Sequence, residues 1–343
     1  MLDLTESNPT RAGLDYPIEE LSGIMARAAR APYQPDALGL ASAREALAKE
    51  LECEAEDIAI TASTSEAYSF LFKLLTDPGD AILTATPSYP LLEHLASLEL
   101  IELRSFALEY QSRWTIDPAR IRDALTERTR AIVVVNPNNP TGSYVTSGEQ
   151  DALASHGIPI ISDEVFHPFA FGKPAPSLVR EDVLTFTLGG LSKSAGLPHY
   201  KLGWIRVSGP GAREAIAALE LIADSFLSVA TPVQVALPEL LAIAPRIRAL
   251  IQARTEANLG VLGNAIALRP ETQLLPVEGG WSAVIRMPRT MSDEDLALDF
   301  LERFGVLVHP GYFFDFDRDG YFVVSLLTKP EVFEEGVRRL FGL

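Results

Sequence analysis

The chain has 343 residues, 47% of them hydrophobic and 22% charged, which suits about two globular domains at ~150 residues each. Its 29 basic and 46 acidic residues leave a formal net charge of −17, which excludes the basic face of a nucleic-acid binder and a polybasic hold on anionic lipid. The single cysteine, Cys53, cannot close an intramolecular disulfide, and neither a secretory leader nor an apolar run of about 18 residues is visible, so a soluble, cytoplasmic protein is expected.

Residues 1–38 read as irregular apart from a helical piece near 18–30, and are expected to form an arm or to pack on a second domain. A strand over DIAIT (57–61) then turns through Ser63-Thr64-Ser65 into a helix, SEAYSFLFKLL (65–75). Short apolar runs follow at AILTA (81–85), AIVVV (131–135), IPIIS (158–162), VLTFTL (183–188) and LGWIRV (202–207). Each is rich in Val, Ile, Leu or Thr and bounded by Pro, Gly, Asn or Asp, the pattern of buried strands. Between them SGEQDALASHG (147–157) reads as a helix opened by Ser147 and closed by Gly157. Continuous apolar strands alternating with helices imply an α/β domain whose mostly parallel sheet is sandwiched by helices. Beyond residue 210, helical stretches (211–227 and 232–267) precede strand-like pieces at 281–287, 306–310 and 321–327 and a helix at 331–341, a smaller α+β domain.

Ligands of open parallel sheets bind outside the carboxyl ends of the strands. After AIVVV comes Asn136-Pro137-Asn138-Asn139-Pro140-Thr141-Gly142, after IPIIS comes Asp163-Glu164, and after VLTFTL comes Gly189-Gly190-Leu191-Ser192-Lys193. Singly, each has an ordinary use: an Asn-Pro-Gly turn, a helix cap, a solvated lysine. Together with hydroxyls at a helix N-terminus, where free amides favour an anion, they match a different inventory. A phosphate cradle, a carboxylate for a pyridinium nitrogen, a donor to a ring oxygen and a lysine for a Schiff base are what pyridoxal 5′-phosphate requires.

Through these residues the chain resembles the fold type I, class I/II pyridoxal-phosphate-dependent aminotransferases over essentially its whole length. The stretches that carry the resemblance are TASTSEA (61–67), DPGDAILTATPSYP (77–90), VVNPNNPTG (134–142), SDEVF (162–166), LSKSAGLPHYKLGW (191–204) and VLVHPGYFF (306–314). The resemblance implies Lys193 as the Schiff-base lysine and proton shuttle, Asp163 as partner of the pyridinium nitrogen, Asn139 as donor to the ring oxygen and Tyr89 as the ring-stacking aromatic. It implies a phosphate site of Ser63, Thr64, Ser65, Ser192 and Lys201, with Tyr33 reaching the phosphate of a neighbouring subunit, hence a homodimer with shared active sites. Ser7 and Asn8 fall where the family's N-terminal segment closes over substrate. A large cofactor domain (36–235) and a small domain with an N-terminal arm (1–35 and 236–343) are expected; no metal is.

The chain departs from the family pattern at four positions. Lys201 replaces a phosphate-binding arginine, giving up a bidentate fork. Gly190 replaces a serine, Phe166 replaces a tyrosine that donates to the ring oxygen, and Val323 stands where an arginine ordinarily clamps the substrate α-carboxylate. Arg11 is the candidate substitute for that clamp. The expected activity is transfer of an amino group from an amino acid or amine to a 2-oxo acid, in ping-pong fashion. Another reaction on the same cofactor (lyase, decarboxylase, racemase or cyclase) and a non-catalytic cofactor-binding protein are the alternatives.

Overall fold

Seven strands build the large sheet in the computed structural model, which describes residues 1–342. In chain order they are β1 (Ile58–Thr61), β2 (Ala81–Thr86), β3 (Glu102–Ala107), β4 (Thr129–Val135), β5 (Ile160–Asp163), β6 (Thr185–Gly190) and β7 (Gly203–Ser208). Their spatial order is β1-β7-β6-β5-β4-β2-β3. The pairings from β6 through β3 are parallel, and β7 runs antiparallel to both β6 and β1. The sequence reading misses β3 because it is an edge strand, ELRSFA, in which Glu102 and Ser105 are exposed and only Phe106 is buried. Half-exposed strands lack the continuous apolar run that marks the central ones.

Helices cover this sheet: α1 (Ile18–Ala28), α2 (Ala41–Leu51), α3 (Thr64–Leu75), α4 (Leu91–Leu98), α5 (Pro118–Ala124), α6 (Ser147–Ala154), the four-residue α7 (Leu191–Ser194) and α8 (Ala212–Asp224). The 36-residue α9 (Thr231–Ile266) packs against α1, α2 and α11 (Pro330–Phe341), and α10 (Asp293–Asp299) precedes the last strands. Leu21, Ile24, Leu47, Leu237 and Ile247 join the core that α1, α2 and α9 share. The cap of α6 is Thr146 rather than Ser147. Thr146 and Glu149 exchange side-chain and backbone hydrogen bonds in a capping box, which satisfies two otherwise orphaned amides.

The C-terminal strands β8 (Gln273–Leu274), β9 (Ser282–Arg286), β10 (His309–Pro310) and β11 (Tyr321–Ser325) form a second, antiparallel sheet in the order β8-β9-β11-β10. The run VLVHP is therefore two short pieces. Its first part, Val306–Leu307, pairs in parallel with Leu2–Asp3, so the N-terminal segment is less irregular than its sequence implies. Leu4 then buries its side chain beside Phe300, Val324 and Phe333.

Register levels the ends of the central strands. Val135 of β4 pairs with Asp163 of β5, and Asp163 with Leu188 of β6. The segments that leave these strands therefore emerge side by side on one edge of the sheet.

Candidate active site

A cavity of about 400 Å³ opens over that edge. The turn after β4 has three asparagines with separate duties. Asn136 accepts from the Val145 amide at 3.0 Å and donates to Glu164 at 3.2 Å, and Asn138 accepts from Thr141 Oγ1 at 2.9 Å. Those two hold the turn, and Asn139 is the one whose side chain reaches the cavity.

β5 delivers two adjacent carboxylates into different surroundings. Glu164 accepts hydrogen bonds from Asn136, Ser162, Ser177 and the Leu178 amide, and so braces the sheet from within. Asp163 lines the cavity, and it accepts from the Val165 amide and from Tyr68 Oη, each at 3.1 Å. Burial dominates its proton affinity and lifts the carboxyl pKa to about 6; those two hydrogen bonds and the charge of Lys193 oppose the shift, and Glu164 adds to it.

β6 ends at Gly190 and passes directly into α7, which carries Lys193. Ser194 Oγ donates to the Gly190 carbonyl at 2.7 Å, and Arg248 of α9 donates to the Ser194 carbonyl at 2.8 Å while paired with Glu50. These bonds fix the short turn that presents the lysine. Its Nζ lies 5.4 Å from the ring centre of Trp281 and 5.9 Å from that of Phe166, with no hydrogen-bond or ion-pair partner among the described residues. Burial pushes the ammonium below the ordinary lysine value, and attraction to Asp163 works against that. A lysine so placed holds its proton weakly and is a competent nucleophile and base.

On the far side, Ser63 caps α3 by accepting from the Glu66 amide at 3.2 Å, and Ser63, Thr64 and Ser65 line the cavity at the helix N-terminus. Gly203 of β7 allows this turn to sit against the strand: a Cβ there would meet the Ser63 carbonyl carbon at 3.0 Å and the Thr64 nitrogen at 3.1 Å. Gly190 faces the same crowding, since its Cβ would lie 3.3 Å from Gly203 Cα and from the Leu202 oxygen. A serine there would need that backbone to give by a few tenths of an ångström, which favours glycine at that position. Ser192 and Lys201 complete this end, Lys201 in the left-handed region at φ +48°. Hydroxyls, free amides and a cation at a helix N-terminus form an anion site.

The cavity thus brings together Ser7, Ser63, Thr64, Ser65, Tyr89, Asn139, Asp163, Phe166, Ser192, Lys193 and Lys201. Tyr89 stands at its rim, 47% exposed and edge-on to Phe313. Three expected residues lie outside its lining. Asn8 folds back on its own segment, accepting from Thr10. Arg11 is exposed and pairs with Glu6 at 3.4 Å. Tyr33, 73% exposed, borders a separate surface hollow with Asp36 and Leu227. Val323 is buried in the core with Val284, Phe314 and Tyr321 and does not line the cavity. Gly311 opens a 3-10 turn and is also a close approach, where a Cβ would collide with Asp293 Oδ2.

Sequence reasoning missed Tyr68, Ser88, Trp281, Ser282 and Ser325, all of which line the cavity. Tyr68 had a signal: it falls one turn into the helix that Ser63 opens, level with the strand ends. Trp281 and Ser282 had none, because only the folding of the second sheet onto the first brings them here.

Comparison with known proteins agrees with this geometry. The chain is 31% identical over 250 residues to the glutamate-pyruvate aminotransferase AlaA of Escherichia coli, a match that covers 68% of this chain and 62% of that protein. It is 34% identical over 226 residues to the S-alkyl-thiohydroximate lyase SUR1 of Arabidopsis thaliana, over 61% of this chain and 49% of that one. The matched region therefore spans less than two thirds of these relatives. Among solved structures, an alanine aminotransferase from Pyrococcus furiosus superposes with a TM-score of 0.91 at 24% identity, covering 99% of this chain and 91% of its own, and so shares the fold. The profile described as aminotransferase class I and II matches residues 8–340, and the chain belongs to that family.

Proposed function

We propose that the protein is a pyridoxal-phosphate-dependent aminotransferase that moves an amino group from an amino acid or amine to a 2-oxo acid. The observation that carries this reading is the convergence of Lys193, Asp163 and the Ser63–Ser65 turn on one cavity. Pyridoxal 5′-phosphate is the cofactor of the family, and the residues present fit it. Lys193 Nζ lacks a partner among the described residues, Asp163 is a buried carboxylate short of a counter-cation, and the N-terminus of α3 carries three hydroxyls. When bound, the cofactor supplies an electron sink for the bond broken at the amino-bearing carbon of the substrate.

The chain's own groups do the rest. With the cofactor bound, Lys193 Nζ would tie it to the protein and would carry the substrate proton. Asp163 would face the ring nitrogen, whose positive charge would draw the carboxyl back toward its ordinary acidity. Ser63, Thr64, Ser65, Ser192 and Lys201 would hold the phosphate, and Phe166 and Trp281 line the cavity with apolar rings that would exclude water.

The test is direct. Protein reconstituted with pyridoxal phosphate is expected to absorb in the visible range, and borohydride is expected to fix the cofactor mass on the peptide containing Lys193. Lys193→Ala should lose both signals. A mass fixed elsewhere, or none, overturns the reading.

A lyase reaction is the second reading, favoured by the likeness to a named lyase, since the same residues support breaking of a different bond at the substrate. We further infer a homodimer, supported by the exposure of Tyr33 and Leu227, which border one surface hollow. A division into a large unit (36–235) and a small one (1–35 and 236–343) accords with the two sheets. A cytoplasmic location accords with the lone free Cys53. Among the described residues no helix is long and apolar enough to cross a membrane.

A further inference from the structure

Ser282 opens β9, directly after Trp281, and its Oγ donates to Asn139 Oδ1 at 3.2 Å. The two residues are 143 positions apart, and both line the cavity. Among the described residues Ser282 is the hydrogen-bond partner of the Asn139 side chain. The other asparagines of the turn are anchored within the large sheet and its loops, Asn136 by Val145 and Glu164 and Asn138 by Thr141.

A carboxamide carries its acceptor and its donors on one carbon, so holding Oδ1 against Ser282 turns Nδ2 to the opposite side. The last torsion of asparagine is broad and roughly two-fold, and without that partner the two ends exchange at small cost. Phe166, on the same cavity, has no hydroxyl to offer, so Asn139 matters more as a donor there. We propose that Ser282 is a positioning residue for Asn139, orienting its amide so that Nδ2 faces the oxygen substituent of the cofactor ring. The inference rests on the reading above, in which pyridoxal phosphate occupies this cavity. Because β9 belongs to the second sheet and Asn139 follows β4 of the first, the same bond ties the two sheets together at the site.

An N–H donated to the ring oxygen spreads that oxygen's negative charge and weakens its hold on the proton of the lysine-bound nitrogen. Losing the donor raises the pH at which this proton leaves. The experiment is a pH titration of the visible absorbance of the reconstituted protein, which reads the cofactor's protonation without turnover. Ser282→Ala is expected to move the midpoint upward by about 0.5–1 unit, the scale of one neutral hydrogen bond. Ser282→Thr should restore the original midpoint, and Ser282→Cys, with a weak donor of similar size, should lie between. In an Asn139→Ala background, Ser282→Ala should add no further shift, because the two act through one contact.

An unchanged midpoint in Ser282→Ala alongside a shifted one in Asn139→Ala would overturn the proposal. So would shifts that simply add in the double variant. Absence of any lysine-dependent visible band in the unmodified protein would overturn the functional reading and this inference with it, and that spectrum tells the two failures apart.

Discussion

Tyr68 Oη donates to Asp163 Oδ2 at 3.1 Å, and both side chains are buried. Tyr68 comes from the first turns of α3 and Asp163 from the end of β5, so the bond joins the helix of the proposed anion site to the carboxylate proposed to face the cofactor ring. The Tyr68 phenol is held protonated by burial first, then by the negative charge of Asp163 and the bond it donates there. Tyr68→Phe removes a donor to a charged acceptor, which is worth roughly 1.5–3 kcal/mol when buried. The loss is expected mainly above pH 6, where Asp163 is ionised, and urea unfolding of cofactor-free protein at pH 5 and pH 8 checks it. An equal loss at both values would contradict the role assigned to the bond.

Asp163 itself makes stability depend on pH. Its folded-state pKa of about 6 lies above the ordinary 3.8, so between these values the folded state binds more protons than the unfolded state. Stability of the cofactor-free protein should therefore fall as pH rises from about 4 to about 6, by on the order of 3 kcal/mol, and then level off. Asp163→Asn should flatten that fall. A variant with the same pH slope as the parent would show that another group is responsible.

Ser63 has a structural duty as a helix cap and a proposed binding duty, which can be separated. Ser63→Ala removes the cap on α3 and is expected to cost about 1 kcal/mol of stability in the absence of cofactor. Loss of a phosphate hydroxyl should add a second effect, a lower cofactor affinity in equilibrium dialysis. Ser63→Asp keeps the cap but places negative charge beside the phosphate. It should preserve stability while weakening cofactor binding more than alanine does.

Lys201 lines the cavity and is the proposed cation of its anion site, and its backbone lies in the left-handed region, uncommon for lysine. Lys201→Ala should weaken cofactor binding about 10- to 100-fold, the range of a charge-assisted hydrogen bond. Lys201→Arg should bind at least as well as the parent, since a guanidinium adds a second donor to the same anion. Dialysis of the three proteins at fixed ionic strength decides it, and an arginine variant as weak as alanine would contradict the assignment.

Much of the large sheet and its chemistry was legible because β1, β2, β4, β5, β6 and β7 are buried runs whose polar successors fall on one edge. Asn139, Asp163 and Lys193 each follow such a run, and level register does the rest. The edge strand β3 was not legible, because its half-exposed residues carry no continuous apolar signal. Leu2–Asp3 is too short to show a period, and its pairing with Val306–Leu307 is set at the other end of the chain. Trp281, Ser282 and Ser325 look like ordinary strand residues until the second sheet is set beside the first. Arg11 shows the converse: its charge suited a carboxylate clamp, but the N-terminal turn pairs it with Glu6 at the surface.

The most direct measurement is a single half-reaction followed by absorbance, with enzyme carrying bound cofactor and an amino donor supplied without any acceptor. One equivalent of cofactor per active site is expected to pass to its amine form, and a 2-oxo acid or carbonyl product to appear in equal amount. Adding an acceptor should then restore the original spectrum. Continuous release of ammonia or carbon dioxide with the original spectrum retained would contradict transamination and favour the lyase reading.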